Sequence, residues 1–305
     1  MILVRYLIFP GLLFTAVLGL LVTWVDRKLA ARLQWRVGPP WYQPFADFAK
    51  LAGKEAIVPE GATIWFLLAP LIGLAGVTLA STILWSAALA AEGGFIGDVV
   101  VVFYLLVVPT LAVVLGGMGS GNPLSAVGAS REIKLMLAYE LPFLIVILIP
   151  LFQAETLSFR PLLLYQAREG VTASALSGVL AMIVALLATQ AKLSFVPFDI
   201  PEAECEIAEG PYLEYSGLLL GLFKVTRAMM MVALPLFLIT LFWGGIEWRG
   251  WGLLLALLKY LVIVVVYVLI KQTNPRLRID QAMRFFWGPL TGVAVAAAIL
   301  AAIGW

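Results

Sequence analysis

The 305 residues carry 12% charged side chains against 63% hydrophobic ones, with a mean hydropathy of +1.03 and a net charge of only +2. Soluble domains average about 25% charged residues, so this composition excludes an ordinary soluble enzyme, and nothing in the charge suggests a nucleic-acid partner. With no histidine and a single cysteine, Cys205, the chain lacks the ligands for a haem or an iron–sulfur cluster and cannot close an internal disulfide.

Apolar runs of about 20 residues recur, each long enough to cross a hydrocarbon core. They predict an all-α polytopic membrane protein, a single transmembrane domain over 1–305. Its one bundle has about eight transmembrane helices, near 3–25, 64–89, 98–118, 133–152, 174–195, 216–243, 252–271 and 286–304. The first span is no cleaved signal: Asp26-Arg27-Lys28 follow it and no small-residue cleavage site does. No internal repeat, Walker loop or Ser-His-Asp set is visible. If both termini share one side, segments 26–63, 119–132, 196–215 and 272–285 share the other. That side holds most of the cations, Arg27, Lys28, Arg32, Arg36, Lys50, Lys54, Arg131, Lys134, Lys192, Lys271, Arg276, Arg278 and Arg284 among them. Arg5, Arg160, Arg168 and Arg249 fall with the termini. The positive-inside rule then makes the plasma-membrane topology multi-pass, with both termini external and the long segments cytoplasmic.

Segment 26–63 is the longest connection. Arg27, Lys28, Arg32 and Arg36 continue the first helix until Gly38-Pro39-Pro40 stops it. Pro44 to Glu55 then fits an interfacial helix with Phe45, Phe48, Ala49 and Ala52 on one face. Ordinary positive-inside flanking explains the charges equally well. It does not explain the Trp41-Tyr42-Gln43-Pro44 turn before an amphipathic segment, and a docking surface for cytoplasmic subunits covers both. Its candidate contacts are Arg27, Arg32, Arg36, Gln43, Asp47 and Lys50, with Arg131 from the next segment on the same side. That next segment, 116–135, is rich in Gly and Ser and suits close backbone approach and mobility.

Glu140 falls two turns inside the fourth span, directly after Tyr139. An intramembrane carboxyl marks a functional position by default; the plainer reading is a structural hydrogen bond to Arg or Tyr. The acids then crowd into 196–215: Asp199, Glu202, Glu204, Glu206, Glu209 and Glu214, with no Lys or Arg between Lys192 and Lys224. Carboxylates close to each other and to hydrocarbon favour their protonated forms. A solvated acidic loop is the simpler alternative. Against it stand Pro197, Pro201, Gly210 and Pro211, which stiffen the segment, and the alternation of acids with Ile200, Ala203, Ile207 and Ala208. If 202–209 is helical, Glu202, Glu206 and Glu209 share one face. Beyond it, Lys224 and Arg227 lie on one face of the sixth span and Lys259 lies in the seventh. Cations at this depth either find acids, with Glu140 and the 199–214 carboxylates available, or snorkel outward. Met229, Met230 and Met231 point to different faces and read as core or lipid filler rather than a metal site.

These stretches resemble the subunit-1 family of respiratory complex I, the H-type membrane subunit of NADH-quinone oxidoreductase. RVGPPWYQPFADFAKLAGKE resembles the family's first cytoplasmic segment, PFDIPEAECEIAEGPYLEYSG its signature acidic segment, and the Tyr139-Glu140 pair its fourth-helix Glu. The resemblance implies an eight-helix subunit at the heel of an L-shaped complex, linking a redox arm to antiporter-like, ion-pumping membrane subunits. GNPLSAVGASRE is closer to the membrane-bound hydrogenase branch. Complex I members usually carry Glu where Arg227 stands and a hydrophobic residue where Lys224 stands. Lys224 resembles the formate hydrogenlyase and hydrogenase pattern, with sulfane reductase complexes close by.

The expectation is a non-catalytic membrane subunit, without cofactors of its own, in a hydrogenase-type complex. A hydrogenase-like large subunit would carry a nickel–iron centre and a small subunit the iron–sulfur clusters. Asp199, Glu202, Glu204, Glu206, Glu209 and Glu214 would form the coupling loop, Glu140 would continue the ion path, and Lys224, Arg227 and Lys259 would set its electrostatics. Two rivals remain. One is a complex I subunit that helps form a quinone site. The other is a cation-binding secondary transporter, for which the expected inverted repeats are not seen and segment 26–63 is surplus.

Overall fold

Lipid offers no hydrogen-bond partners, so a chain this apolar satisfies its backbone polar groups within helices. The computed structural model describes residues 2–89, 96–248 and 250–304 and is all-α, with no strand among them; Arg249 and the side chains of Ile2, Glu204 and Cys205 lie outside the description. Among the described residues, seven helical stretches are long and apolar enough to span a membrane, or eight if one pair bent by 78° counts as a span. The fold is a polytopic all-α membrane bundle.

The spans differ from uniform rods in physically sensible places. The first breaks at Phe9-Pro10-Gly11 into α1 (Ile2–Leu7) and α2 (Leu12–Leu33), since Pro10 has no N–H to donate. α2 ends at Leu33, five residues before Gly38, because Trp35 already has a positive φ of 60°. Trp24 Nε1 then donates to the Pro39 carbonyl at 3.1 Å and folds the following turn back along α2. α3 (Gln43–Ala52) follows, then α4 (Ile64–Leu89). The third span divides into α5 (Asp98–Leu105) and α6 (Val108–Gly119).

The Gly/Ser-rich segment is not a mobile connector. Asn122 accepts the Leu124 N–H at 2.8 Å and caps a 31-residue helix, α7 (Pro123–Gln153). Asn as N-cap with Pro at the first helical position is a strong start signal, and it overrides the Gly and Ser content. α8 (Phe159–Glu169) bends into α9 (Leu176–Lys192) at the 78° break. The last spans are α11 (Gly217–Phe242), α12 (Trp251–Thr273), and α13 (Ile279–Phe285) joined to α14 (Thr291–Ile303) by a π-helical turn at Phe286–Leu290.

α11 is the centre of the bundle. Every residue from Ala228 to Phe242 is buried, Met229, Met230 and Met231 included, as expected for a helix apolar on all sides. α2, α3, α4, α9 and α12 all pack on it. α2 and α11 approach closely at Gly19, where an added Cβ would lie 2.5 Å from the backbone of Ala228. Gly19→Val should therefore lower the thermal midpoint of the purified protein, by the equivalent of about 1–3 kcal/mol. Gly292→Ala, at an α14 position where an added Cβ meets nothing, should leave it unchanged. Equal midpoints for the two variants would show that α2 and α11 do not meet at Gly19.

Candidate functional site

The acidic stretch does not form one helix. Ile200–Glu202 is a 3₁₀ turn, Glu204–Ile207 a single α turn (α10), and Gly210–Tyr212 another 3₁₀ turn. Ala208, Glu209 and Gly210 all have positive φ, at 46°, 72° and 54°, which ends any helix before Glu209. Glu202, Glu206 and Glu209 therefore share no helical face: Glu202 is half-buried while Glu206 and Glu209 are exposed.

Apolar and small residues hold the stretch at both ends. Near its start, Phe198 is buried against Phe285 and Phe286, with ring centroids 6.1 and 4.9 Å away. Near its end, Pro211 sits in a notch between α6 and α7. Cβ atoms at Gly117 and Gly128 would lie 3.0 and 2.6 Å from its ring, which explains these two glycines. Tyr215 stacks on Phe66 at 4.2 Å and donates its hydroxyl to the Phe66 carbonyl at 2.8 Å. Burial pushes the hydroxyls of Tyr212 and Tyr215 well above the usual phenol range.

Between these anchors three of the carboxylates find cations, from other parts of the chain. Arg227 of α11 pairs with Glu202 at 2.6 Å, also donates to the Ser194 carbonyl at 2.8 Å, and lies over the Phe195 ring. Arg276 pairs with Asp199 at 2.8 Å, and Arg131 of α7 pairs with Glu206 at 2.6 Å. Asn122 donates to Glu214 at 2.5 Å. Glu209 lines a small cavity with Glu202, Lys224 and Arg227. The side chain of Glu204 lies outside the described residues.

Glu140 meets none of the three cations expected for it. Its partner is Lys192, the last residue of α9, at 2.5 Å, and the Lys192 side chain is fully buried. The ammonium sits among the Phe103, Tyr139 and Phe143 rings, 5.3–5.6 Å from their centroids. Between this pair and the Glu202–Arg227 pair lies a narrow cavity of about 40 Å³. Glu132, Lys192, Glu202, Tyr212 and Arg227 all line it, and Glu132 is buried without a salt bridge among the described residues. Polar groups thus run from the acidic stretch to Glu140.

Two cations stand apart from this set. Lys224 is exposed, has no salt bridge among the described residues, and borders the cavities rather than meeting a carboxylate. Lys259 lies toward the other end of the bundle, where it donates to the Trp243 carbonyl at 2.6 Å. It satisfies the open carbonyls at the α11 C-terminus, as cations commonly do at helix ends.

A second, wider cleft of about 400 Å³ opens among α2, α3, α11 and the start of the acidic stretch. Four carboxylates, Asp26, Asp47, Asp199 and Glu202, line it together with Arg27, Lys224, Arg227, Lys271 and Arg276. Among the described residues no three His, Cys, Asp or Glu side chains converge in the manner of a metal site.

A family model described as NADH dehydrogenase matches residues 6–302, nearly the whole chain. The chain belongs to this family. The H subunit of the NADH-quinone oxidoreductase of Thermomicrobium roseum is 34% identical, with 93% of this chain and 91% of that protein covered. Its counterpart in Dehalococcoides mccartyi strain 195 is 33% identical, at 95% and 83% coverage. Among solved structures, the fold is similar to a chain of the membrane-bound sulfane sulfur reductase, an archaeal respiratory membrane complex. That likeness has a TM-score of 0.87 and 27% identity, and covers 98% of this chain and 99% of that one. This family member is a multi-pass membrane subunit of a complex-I-like respiratory complex.

Several residues that build the site read from sequence only as flanks. Glu132 was legible in principle, since it lies seven residues before Tyr139 and so on the same stripe of α7. Lys192 carried no such signal, being one cation at the end of an apolar run. Asp26 is buried, accepts from Lys271 at 3.0 Å, and places Lys271 4.7 Å from the Phe195 ring centroid. Only the fold brings those residues together.

The segment expected to dock partners first organises itself. Arg27 and Gln43 both donate to Asp47, each at 2.8 Å, which ties α3 to the end of α2. Arg32, Arg36 and Lys50 remain at least partly exposed. The packed side of α3 is Pro44, Phe48 and Leu51, which reach the cleft, whereas Ala52 is exposed. The hydrogen bond from Arg27 holds the Asp47 carboxyl below its ordinary value. Its contribution to stability is then full above the unfolded carboxylate pKa of about 3.9 and is lost as pH falls through the lower folded value. The pair is half exposed, so the expected effect is only about 0.2–1 kcal/mol. Proteolysis within 36–60 should speed up on acidification in the native protein, and this acid-induced increment should shrink in Asp47→Asn. An identical pH response in the variant would exclude the pair as the tie.

Proposed function

We propose that this subunit couples electron transfer in a hydrogenase-type redox arm to proton or sodium movement in the bilayer. The observation that carries the reading is the polar series Glu202–Arg227, Glu132, Lys192–Glu140, which passes from the acidic stretch to the middle of α7 through a cavity inside an otherwise apolar bundle. Ionisable groups at membrane depth are costly and mark ion pathways. Glu140 Oε2 is buried with no hydrogen-bond partner among the described residues, which leaves an acceptor for a proton arriving along the series.

In this reading segment 196–215 is the coupling loop and 26–63 the docking segment for the redox arm. Both face the cytoplasm and both termini face outward, in keeping with the cation distribution. Arg32, Arg36 and Lys50 would meet acidic surface of a hydrogenase-like large subunit or its small iron–sulfur partner. Antiporter-like membrane subunits would take the ion onward. The nickel–iron centre and the clusters belong to those partner chains. Lys224, Arg227 and Glu209 set the field around the loop; Lys259, at the other bundle end, keeps only a distant electrostatic role.

The quinone-site reading draws on the names of the NADH-quinone oxidoreductase relatives and on the wide cleft. Ligand sites of that size are lined mainly by apolar side chains. Here apolar residues such as Leu20, Phe48, Leu51, Phe195 and Val225 line the cleft beside nine ionisable ones.

Glu140→Gln should lower ion translocation by roughly tenfold or more, a barrier change of about 1.4 kcal/mol, while electron transfer to soluble acceptors persists. Leaving one partner of a buried pair uncompensated destabilises by about 3–5 kcal/mol, so the double variant Glu140→Gln/Lys192→Met is the control. It should recover stability, since the pair is replaced by neutral side chains of similar size, but not translocation. Wild-type translocation in a stable double variant would make the pair structural and remove the basis of the proposal.

A further inference from the structure

α2 and α12 are joined at the end that carries the acidic stretch: Lys271 donates to Asp26 at 3.0 Å and Gln34 donates to Gln272 at 2.7 Å. Toward the other end they part over α11, and a groove of about 280 Å³ opens between them. Leu21 and Val25 form one wall and Leu257 and Val264 the other, while Trp85 and Trp248 stand at the end near the chain termini, their rings 6.3 Å apart.

The shape limits what fits. Along α12 the lining runs from Leu253 to Val264, roughly 16 Å at 1.5 Å per residue. That length is about one leaflet of a hydrocarbon core ~30 Å thick. A single extended hydrocarbon chain matches both the length and the apolar walls.

Polar groups at the tryptophan end indicate what the chain is attached to. The Trp85 indole N–H is buried and has no acceptor among the described residues. Arg5 is exposed, donates to Ser86 beside Trp85 at 2.7 Å, and has no carboxylate partner among the described residues. A guanidinium has five N–H donors in a fork that suits phosphate, so most of its capacity is open. Trp at the membrane–water boundary sits at headgroup level.

We propose that the groove holds one acyl chain of an anionic phospholipid from the leaflet on the side of the termini, with the phosphate on Arg5. Bound there, the lipid would fill the gap between α2 and α12, the two helices that flank the cleft at the opposite end.

The test uses the purified complex with benzoylphenylalanine at Leu253, an exposed position at the end of the groove. The complex is reconstituted in phosphatidylcholine vesicles containing a minority of phosphatidylglycerol and then irradiated. Mass spectrometry of the labelled peptide identifies each adduct. Phosphatidylglycerol should be enriched severalfold over its share of the vesicle, and Arg5→Gln should return adducts to that share without loss of assembled complex. Adducts that mirror the vesicle in both backgrounds would overturn the proposal. So would enrichment untouched by Arg5→Gln, the absence of lipid adducts, or adducts to a neighbouring protein segment or a co-purified isoprenoid quinone.

Discussion

The structure depends on one constraint: an acidic segment lies inside an apolar bundle, so every carboxylate that is drawn inward needs a cation or a proton. Burying an unpaired charge costs several kcal/mol even after relaxation. The bundle meets that cost with Arg227 on Glu202 and Arg276 on Asp199, while Arg131, from a third part of the chain, pairs with the exposed Glu206. Because the pairs join α11, the 274–278 turn and α7 to the same segment, they also fix how those elements sit relative to one another. Arg suits this role better than Lys, since Arg227 serves Glu202, the Ser194 carbonyl and the Phe195 face at once.

The membrane spans were legible in the sequence because hydrocarbon imposes one length and one composition on each of them. The break at Pro10 falls inside the span expected over 3–25 and was not anticipated, although a proline without an N–H marks it. The α7 start shows the opposite case: Gly and Ser suggested mobility, yet Asn122-Pro123 is a cap followed by a first-turn proline, and those two residues decide the local structure. Gly117 and Gly128 act in packing instead, by admitting Pro211 between α6 and α7. A sequence read without tertiary contacts cannot separate a flexible glycine from a notched one.

The same limit explains the partners of the acids. The motif around Phe195–Tyr215 was readable as a unit, and so were Glu140, Arg227 and Glu202 as residues of interest. Which cation meets which acid was not, because pairing follows from the crossing of helices. Lys192 looked like a flank yet is the most enclosed cation of the site, while Lys224 looked deep yet reaches the surface. Depth along a helix axis sets only one coordinate. Whether a side chain at that depth faces the bundle or the exterior depends on rotation about the axis, which the apolar pattern of α11 leaves undefined by being uniform.

The way the acidic stretch is held bears on how a neighbour could act on it. Its ends are pinned by packing, Phe198 among aromatic rings and Pro211 and Tyr215 among small residues and Phe66, and packed cores resist continuous deformation. In the middle, Ala203 and Ile207 are buried, while Glu206 is exposed and its pair with Arg131 is partly open to solvent. Exchanging such a surface pair costs about 1 kcal/mol or less, far below the cost of repacking either end. In the proposed role, a redox arm seated on this face would shift Glu206 without disturbing the anchors. Glu202 lies just beyond the Phe198 anchor, and it shares a cavity with Glu132 and Lys192. A change in the field at Glu206 would then reach Glu140 through charges already in place, without any helix having to move.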